Sequence, residues 1–183
     1  MSDKISHTMA DDAPISTAKH PNMDAMLIGR TVTINRPRED LYAYWRDLRN
    51  LPNFMENVRA IRVIDDRLSR WTVAAPAGQT VEWDSIIVED EPGRLIAWKS
   101  SQDADILNSG RIEFRDSPAG RGTEVTATIL YDPPAGAAGK LVAKLFQKEP
   151  NIQARRELRR FKQLMETGEV STAKPPHAAP RAE

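Results

Sequence analysis

The chain of 183 residues contains no cysteine, and its only histidines, His7, His20 and His177, lie near the two ends. The central part of the sequence therefore offers neither a thiolate nor an imidazole. Because Ser-His-Asp catalysis, Cys-His catalysis and typical zinc sites require these groups, we exclude all three from the folded body. The lack of cysteine also excludes disulfide bonds. We predict no metal, no cofactor and no set of catalytic residues.

A phosphate-binding loop, an excess of one charge and a long hydrophobic run are also missing. Gly136 and Gly139 are not followed by the Lys-Ser/Thr pair of a Walker motif. The 26 basic and 26 acidic residues balance, which argues against nucleic acid as a partner. No apolar run approaches the roughly 18 residues of a membrane span, and the N-terminus lacks the apolar core of a secretory signal. We therefore expect a cytoplasmic protein.

The composition separates two tails from one domain. Residues 1–25 and 169–183 are rich in polar residues and proline and show almost no apolar periodicity. Such segments cannot bury enough apolar surface to fold, so we predict that both are disordered. The remaining residues, 26–168, suffice for a single domain with a real core.

Alternating apolar residues, separated by short turns, predict a sheet. We expect strands at 28–36, 58–65, 68–75, 79–89, 94–100, 110–116 and 123–131. Connections this short exclude parallel crossovers, so the sheet should be antiparallel. One face should hold Trp71, Val73, Val81, Trp83, Ile87, Ile112, Phe114, Val125, Ala127 and Ile129. The other, solvated face should hold Glu82, Asp84, Glu113, Arg115, Glu124 and Thr126.

Helical spacing predicts two short helices, at 37–48 and 51–55, and a long one at 135–167. The long helix has an apolar stripe, and Gly168 is its expected C-cap. Pro150 removes a backbone donor, so the helix should kink or break near residues 148–149. The break is either a functional feature of the helix or a harmless surface kink.

Six segments, in this order along the chain, resemble the SRPBCC (START-like) superfamily, and most of all its polyketide cyclase/dehydrase or coenzyme-Q-binding branch. They are residues 31–37, 44–47, 50–55, 81–84, 96–98 and 161–168. The resemblance implies an α+β helix-grip fold. In that fold a curved antiparallel sheet of about seven strands wraps around a long C-terminal helix and leaves an internal hydrophobic cavity.

The resemblance directs attention to residues expected beside that cavity. Trp45, Trp71, Trp83 and Trp98 come from different elements and form either a cavity wall or ordinary core. Arg111 and Tyr131 are the candidate polar groups near it, and Ser85 is expected among inward-facing apolar neighbours. Glu82 and Asp84 are interpreted as surface charges. The remaining candidate ligand-binding residues are Phe54, Ile87, Ile112, Phe114, Ile129, Leu141, Leu145 and Leu158.

These observations predict a protein that binds or transports a hydrophobic small molecule, such as a lipid, a quinone or a polyketide-like compound. The alternative is a polyketide cyclase/aromatase or dehydratase-type enzyme that uses the same cavity, and whether the protein is an enzyme stays open. The segment 140–148 places Lys140, Lys144 and Lys148 beside apolar residues. It is either a solvated helix face or a peripheral contact with anionic membranes.

Overall fold

The structure, a computed structural model, describes residues 16–19, 26–75, 78–101, 104, 107–132 and 150–171. Within these ranges eight strands form one sheet. They are β1 (Ser16–Lys19), β2 (Met26–Ile34), β3 (Val58–Val63), β4 (Leu68–Ala74), β5 (Thr80–Glu91), β6 (Leu95–Ser100), β7 (Leu107–Asp116) and β8 (Thr123–Asp132). Their order in the sheet is β1-β2-β8-β7-β6-β5-β4-β3.

Every neighbouring pair of strands is antiparallel, as predicted. All seven predicted strands are present, with ends displaced by a few residues. The additional strand, β1, pairs with β2 and lies inside the segment predicted as a tail. Its sequence, Ser-Thr-Ala-Lys, has no apolar alternation. The strand is therefore not recognisable from its own residues.

Side chains alternate between the two faces as the sequence predicts. Along β5, Trp83, Ser85 and Ile87 are buried, whereas Glu82 and Val88 are exposed. All of the predicted inward-facing residues are buried or half-buried. On the outer face, the Arg70 guanidinium lies 2.7 Å from the Asp84 carboxylate. Glu82 and Asp84 therefore belong to the outer surface, as predicted.

The sheet curls into a half-barrel. The register shifts between Ile87 and Glu89, where β5 pairs with β6. A second shift lies between Val58 and Ala60, where β3 pairs with β4. Because an extra residue on one strand bends it and increases its twist, these irregularities help to curve the sheet. The concave face holds the predicted apolar residues and receives the C-terminal helix, which confirms the helix-grip fold.

Two α-helices and two short 3₁₀ helices complete the described fold. Helix α1 (Arg38–Arg46) follows Pro37, and the first 3₁₀ helix (Leu48–Asn53) begins three residues before the predicted one. The second 3₁₀ helix (Pro118–Gly120) lies between β7 and β8. Helix α2 (Pro150–Thr167) ends as predicted, because Gly168 has φ +80° and its N–H donates to the Leu164 carbonyl at 2.8 Å. None of the described helices has the length and hydrophobicity needed to cross a bilayer.

Part of the predicted long helix falls outside the described residues. This part, 135–149, includes Leu141, Leu145 and the basic segment 140–148, together with the predicted kink before Pro150. The described helix begins at Pro150 itself. The predictions on these residues therefore stay predictions.

The C-terminal half of α2 packs into a solid core. The Phe161 ring centroid lies 5.0 Å from that of Trp45 and 4.9 Å from that of Phe54, and all three side chains are buried. The end of the helix is also tied to the end of β2, because the Asn35 N–H donates to Glu166 Oε1 at 2.7 Å. Phe161 therefore belongs to the core and anchors this end of the helix on the sheet.

Candidate functional site

A cavity of about 130 Å³ lies between the N-terminal half of α2 and the concave face of the sheet. Its apolar wall consists of Met55, Val58, Trp71, Val73, Trp83, Trp98 and Ile129. An apolar protein cavity of about 150 Å³ holds a benzene molecule, whereas sites for drug-sized ligands measure roughly 300–1,000 Å³. The space bounded by the described residues therefore suits about one ring.

Three tryptophans from three strands form most of the apolar wall. Trp71 and Trp83 are directly opposite each other on β4 and β5, and their rings stack with centroids 6.2 Å apart at 15°. The Trp71 indole N–H donates to Ser69 Oγ at 3.0 Å, which fixes the orientation of the ring. Flat aromatic surfaces held in this way favour contact with another ring.

Gly110 makes room for the third tryptophan, Trp98. The two residues are paired across β6 and β7. A Cβ atom at Gly110 would lie 2.7 Å from Trp98 Cζ2 and 2.7 Å from the Thr128 carbonyl oxygen. Real Cβ atoms do not approach other atoms so closely, so any larger residue at this position would displace the Trp98 ring. Glycine therefore sets the position of this part of the cavity wall.

Polar side chains occupy the rest of the cavity lining, and they come from both the sheet and the helix. They are Asn57, Ser85, Asn108, Gln153 and Glu157. Gln153 Nε2 donates a hydrogen bond to Glu157 Oε1 at 3.1 Å. An apolar cavity with a few convergent polar groups is the usual form of a small-molecule site.

Glu157 is the titratable group of this lining. Burial, which removes the carboxylate from water, raises the pKa of Glu157 from its usual value of 4.5 to about 7. The hydrogen bond from Gln153 and the charge of Arg160 act in the opposite direction, and the charge of Glu56 raises the pKa further. At neutral pH the carboxyl is thus close to half protonated. A group in this state can donate or accept a proton.

A second, smaller cavity of about 30 Å³ continues from the first towards the core. The two share Met55, Trp71, Ser85 and Trp98 as lining residues. The smaller cavity is closed on its far side by Trp45, Leu48, Leu51, Ile87 and Ile96. Its volume is close to that of one water molecule in the liquid. It can extend the main cavity but cannot hold a ring.

A larger cleft of about 510 Å³ lies on the surface, between α1 and the turn that joins β3 to β4. Its polar groups already bind one another. Arg46 Nε donates to Asp90 Oδ2 at 2.6 Å and Arg46 Nη2 to the Asp66 carbonyl at 2.8 Å, and the Tyr42 hydroxyl donates to Asp90 Oδ1. These contacts attach α1 to the sheet. We assign this cleft a structural role and the tryptophan-lined cavity the functional one.

The structure brings together only some of the residues predicted to bind a ligand. Trp71, Trp83, Trp98 and Ile129 line the main cavity, and Trp45 and Ile87 line the smaller one. The others whose side chains are described and buried, Phe54, Ile112, Phe114 and Leu158, belong to the solid core. Sequence periodicity identified the concave face correctly. It did not show where on that face packing is complete.

The prediction that Arg111 lies near the pocket is wrong. Its side chain is 53% exposed on the outer face, with Nε 3.4 Å from Glu113 Oε2. The reason is the two-residue period of the strand, since its neighbour Ile112 faces the core. Tyr131 pairs with Asn108 through the backbone, but its side chain lies outside the described residues, as do Leu141 and Leu145.

Sequence reasoning missed the polar members of the lining, apart from Ser85, which we expected among inward-facing neighbours. From the sequence we assigned Glu157 no role in the site. Its spacing carried a signal, because Glu157 lies three residues after Ala154 and four before Phe161, on the buried stripe of α2. Asn108 was missed because the predicted strand began three residues later than β7 does.

Comparison with known proteins supports the fold. The sequence profile of the family described as polyketide cyclase/dehydrase and lipid transport matches residues 34–159, more than two thirds of the chain. The chain is 44% identical to DR_A0006 from Deinococcus radiodurans. That match covers 78% of this chain and 98% of the other, with a TM-score of 0.63. No curated protein matches the chain.

Two further solved structures are similar. TTHA0849 from Thermus thermophilus is 25% identical, and the match covers 76% of this chain and 94% of the other, with a TM-score of 0.59. The Zhui aromatase/cyclase from Streptomyces sp. R1128 is 14% identical, and the match covers 80% and 99% of the two chains, with a TM-score of 0.61. At that identity the similarity shows the fold alone. The superfamily predicted from sequence is confirmed.

Proposed function

Because the chain belongs to the polyketide cyclase/dehydrase and lipid transport family, we propose that it binds a hydrophobic small molecule in the cavity between α2 and the sheet. The observation that carries this proposal is the convergence of Trp71, Trp83 and Trp98 on one apolar cavity. Tryptophans that served only as core would be packed against other side chains on all sides. Here they border a cavity instead.

The cavity wall is held in place by the protein itself. Trp71 is oriented by Ser69, Trp83 stacks on Trp71, and Trp98 rests against Gly110. A preformed wall of this kind reduces the entropy that is lost on binding, so more of the apolar contact contributes to affinity. At about 25 cal/mol per Å² of buried apolar area, a single ring gains a few kcal/mol, which corresponds to millimolar or somewhat better affinity.

A titration with ethylbenzene tests the proposal, with the indole N–H signals in ¹H–¹⁵N NMR spectra as the readout. We expect saturable shifts of the Trp71, Trp83 and Trp98 signals. Ile129→Phe adds volume inside the cavity and should weaken binding, whereas Arg111→Ala alters the outer face and should bind as the wild type does. Absence of saturable shifts would contradict the proposal, and so would binding to Ile129→Phe that is as tight as binding to the wild type.

An enzyme of the cyclase or dehydratase type is the second candidate, and Glu157 is the observation that favours it. A carboxyl with a pKa of about 7 beside an apolar cavity suits general acid–base catalysis. Mass spectrometry of a linear poly-β-ketone incubated with the protein separates the two functions. A binding protein returns the compound unchanged, whereas an enzyme releases a cyclised or dehydrated product and loses this activity in Glu157→Gln.

A further inference from the structure

The polar lining is asymmetric, and this asymmetry restricts the chemistry of the ligand. Glu157 and Gln153 lie on the helix side of the cavity, and the three tryptophans lie on the sheet side. A ring placed against the tryptophans would therefore direct one edge towards the carboxyl of Glu157. In the described structure Gln153 is the residue that donates to Oε1 of this carboxyl. The same described residues provide no hydrogen bond to Oε2.

The charges around Glu157 do not provide it with a close ionic partner among the described residues. The charge of Arg160 acts on Glu157, and Arg160 Nη1 lies 3.2 Å from Glu56 Oε2. Arg156 also reaches Glu56, at 3.7 Å. Glu56, in the segment before β3, thus forms ion pairs with both arginines, whereas Arg160 Nε is buried without a hydrogen-bond partner among the described residues. On the sheet side the described lining is uncharged and consists of the tryptophans, Ser85, Asn108 and apolar residues.

A carboxyl in these surroundings favours its protonated form, because an unpaired carboxylate loses hydration on burial. Once protonated, it has an O–H to donate. A ligand that fills the cavity without accepting this hydrogen bond would leave a buried donor unsatisfied, which costs free energy. A ligand with an acceptor at its edge satisfies the donor instead. Carbonyl oxygens are acceptors of this kind and do not compete as donors.

We propose that the cavity selects ring compounds with a carbonyl group, whose oxygen accepts a hydrogen bond from the protonated carboxyl of Glu157. Gln153 holds the other carboxyl oxygen and so orients the donor towards the ring. This inference rests on the proposed binding function, which it narrows from hydrophobic molecules in general to ring ketones and quinone-like compounds. Plain hydrocarbons would bind less tightly.

Three ligands of nearly equal shape test the inference: acetophenone, ethylbenzene and 1-phenylethylamine. Affinities are measured at pH 5.5 and pH 8.5 from the tryptophan indole signals. For the wild type at pH 5.5, we expect acetophenone to bind roughly two- to tenfold more tightly than ethylbenzene, the usual value of one net hydrogen bond. At pH 8.5 the carboxyl is ionised and cannot donate, so this preference should disappear.

Variants of Glu157 test whether its carboxyl causes the preference for acetophenone. Glu157→Gln keeps a donor that does not titrate, so it should prefer acetophenone at both pH values. Glu157→Leu removes the donor and should show no preference at either pH. Glu82→Gln is the matched control, since Glu82 lies on the outer face of β5, and it should behave as the wild type.

The outcomes distinguish this inference from the function on which it rests. If none of the three ligands binds, the proposed binding function itself fails. If ethylbenzene binds but acetophenone shows no pH-dependent preference, the function stands and the role of Glu157 is refuted. Tighter binding of 1-phenylethylamine than of acetophenone at pH 8.5 would also overturn the inference, because it would make Glu157 the ionised partner of a cationic ligand.

Discussion

Replacement of Glu157 by glutamine should make the protein more stable at pH 8 and leave its stability nearly unchanged at pH 4. The reason is the pKa of the Glu157 carboxyl, which is 4.5 in the unfolded chain and about 7 in the folded protein. Between these pH values the unfolded chain loses a proton that the folded protein keeps. The free energy of unfolding of the wild type therefore falls as the pH rises from about 4.5 to about 7.

The structure sets the size of this effect. A pKa difference of this size corresponds to about 3 kcal/mol, because a pKa change of one is equivalent to about 1.4 kcal/mol. Glu157 is half-buried rather than fully enclosed, so contact with water makes the loss of stability smaller than this value. We therefore expect Glu157→Gln to gain about 1–2 kcal/mol above pH 7. For a protein of this length the gain corresponds to a Tm increase of roughly 2–8 °C.

Urea unfolding followed by tryptophan fluorescence at pH 4, 6 and 8 measures the effect. Glu82→Gln serves as the control, since it makes the same substitution at an exposed position on the outer face, away from the cavity. If Glu157→Gln were less stable than the wild type at pH 8, the carboxylate would be stabilised in the folded protein. Its pKa would then be lowered, and the reasoning on which the ligand preference rests would be refuted.

Two further predictions concern the wall of the cavity and the basic segment. Gly110→Ala should displace the Trp98 ring, because the new Cβ would lie 2.7 Å from Cζ2. Ethylbenzene binding should fall severalfold in NMR titrations, whereas Arg111→Ala, on the outer face of the same strand, should leave binding unchanged. Replacement of the three lysines of segment 140–148 by glutamine should reduce co-sedimentation with anionic liposomes if this segment contacts membranes. Unchanged co-sedimentation would argue against that contact.

The sheet was predictable because each strand carries its own signal. In β5 the alternation of Val81 and Trp83 with Glu82 and Asp84 identifies both the strand and its buried face. Strand β1 has no such signal, because its short polar sequence becomes a strand only through pairing with β2. The same two-residue period shows why Arg111 was misplaced. Assigning Ile112 to the core already required Arg111 to lie on the outside.

The candidate site was less predictable than the fold because periodicity identifies a face but not the depth of packing along it. Phe114 and Ile129 lie on the same concave face, yet Phe114 is in the solid core and Ile129 borders the cavity. The difference depends on what the opposing helix brings to each position. Such pairings between distant segments cannot be read from local spacing in a single sequence.

Helix α2 brings different groups to the two halves of the concave face, and this difference accounts for both the core and the cavity. Phe161 fills the space near Trp45 and Phe54. One turn earlier, Glu157 lies on the same stripe but cannot fill the space in the same way, because its carboxyl requires a polar partner. Placing leucine there would complete the apolar stripe and should stabilise the fold above pH 7. A ligand that accepts a hydrogen bond from Glu157 would account for a glutamate at this position, against a wall of tryptophans.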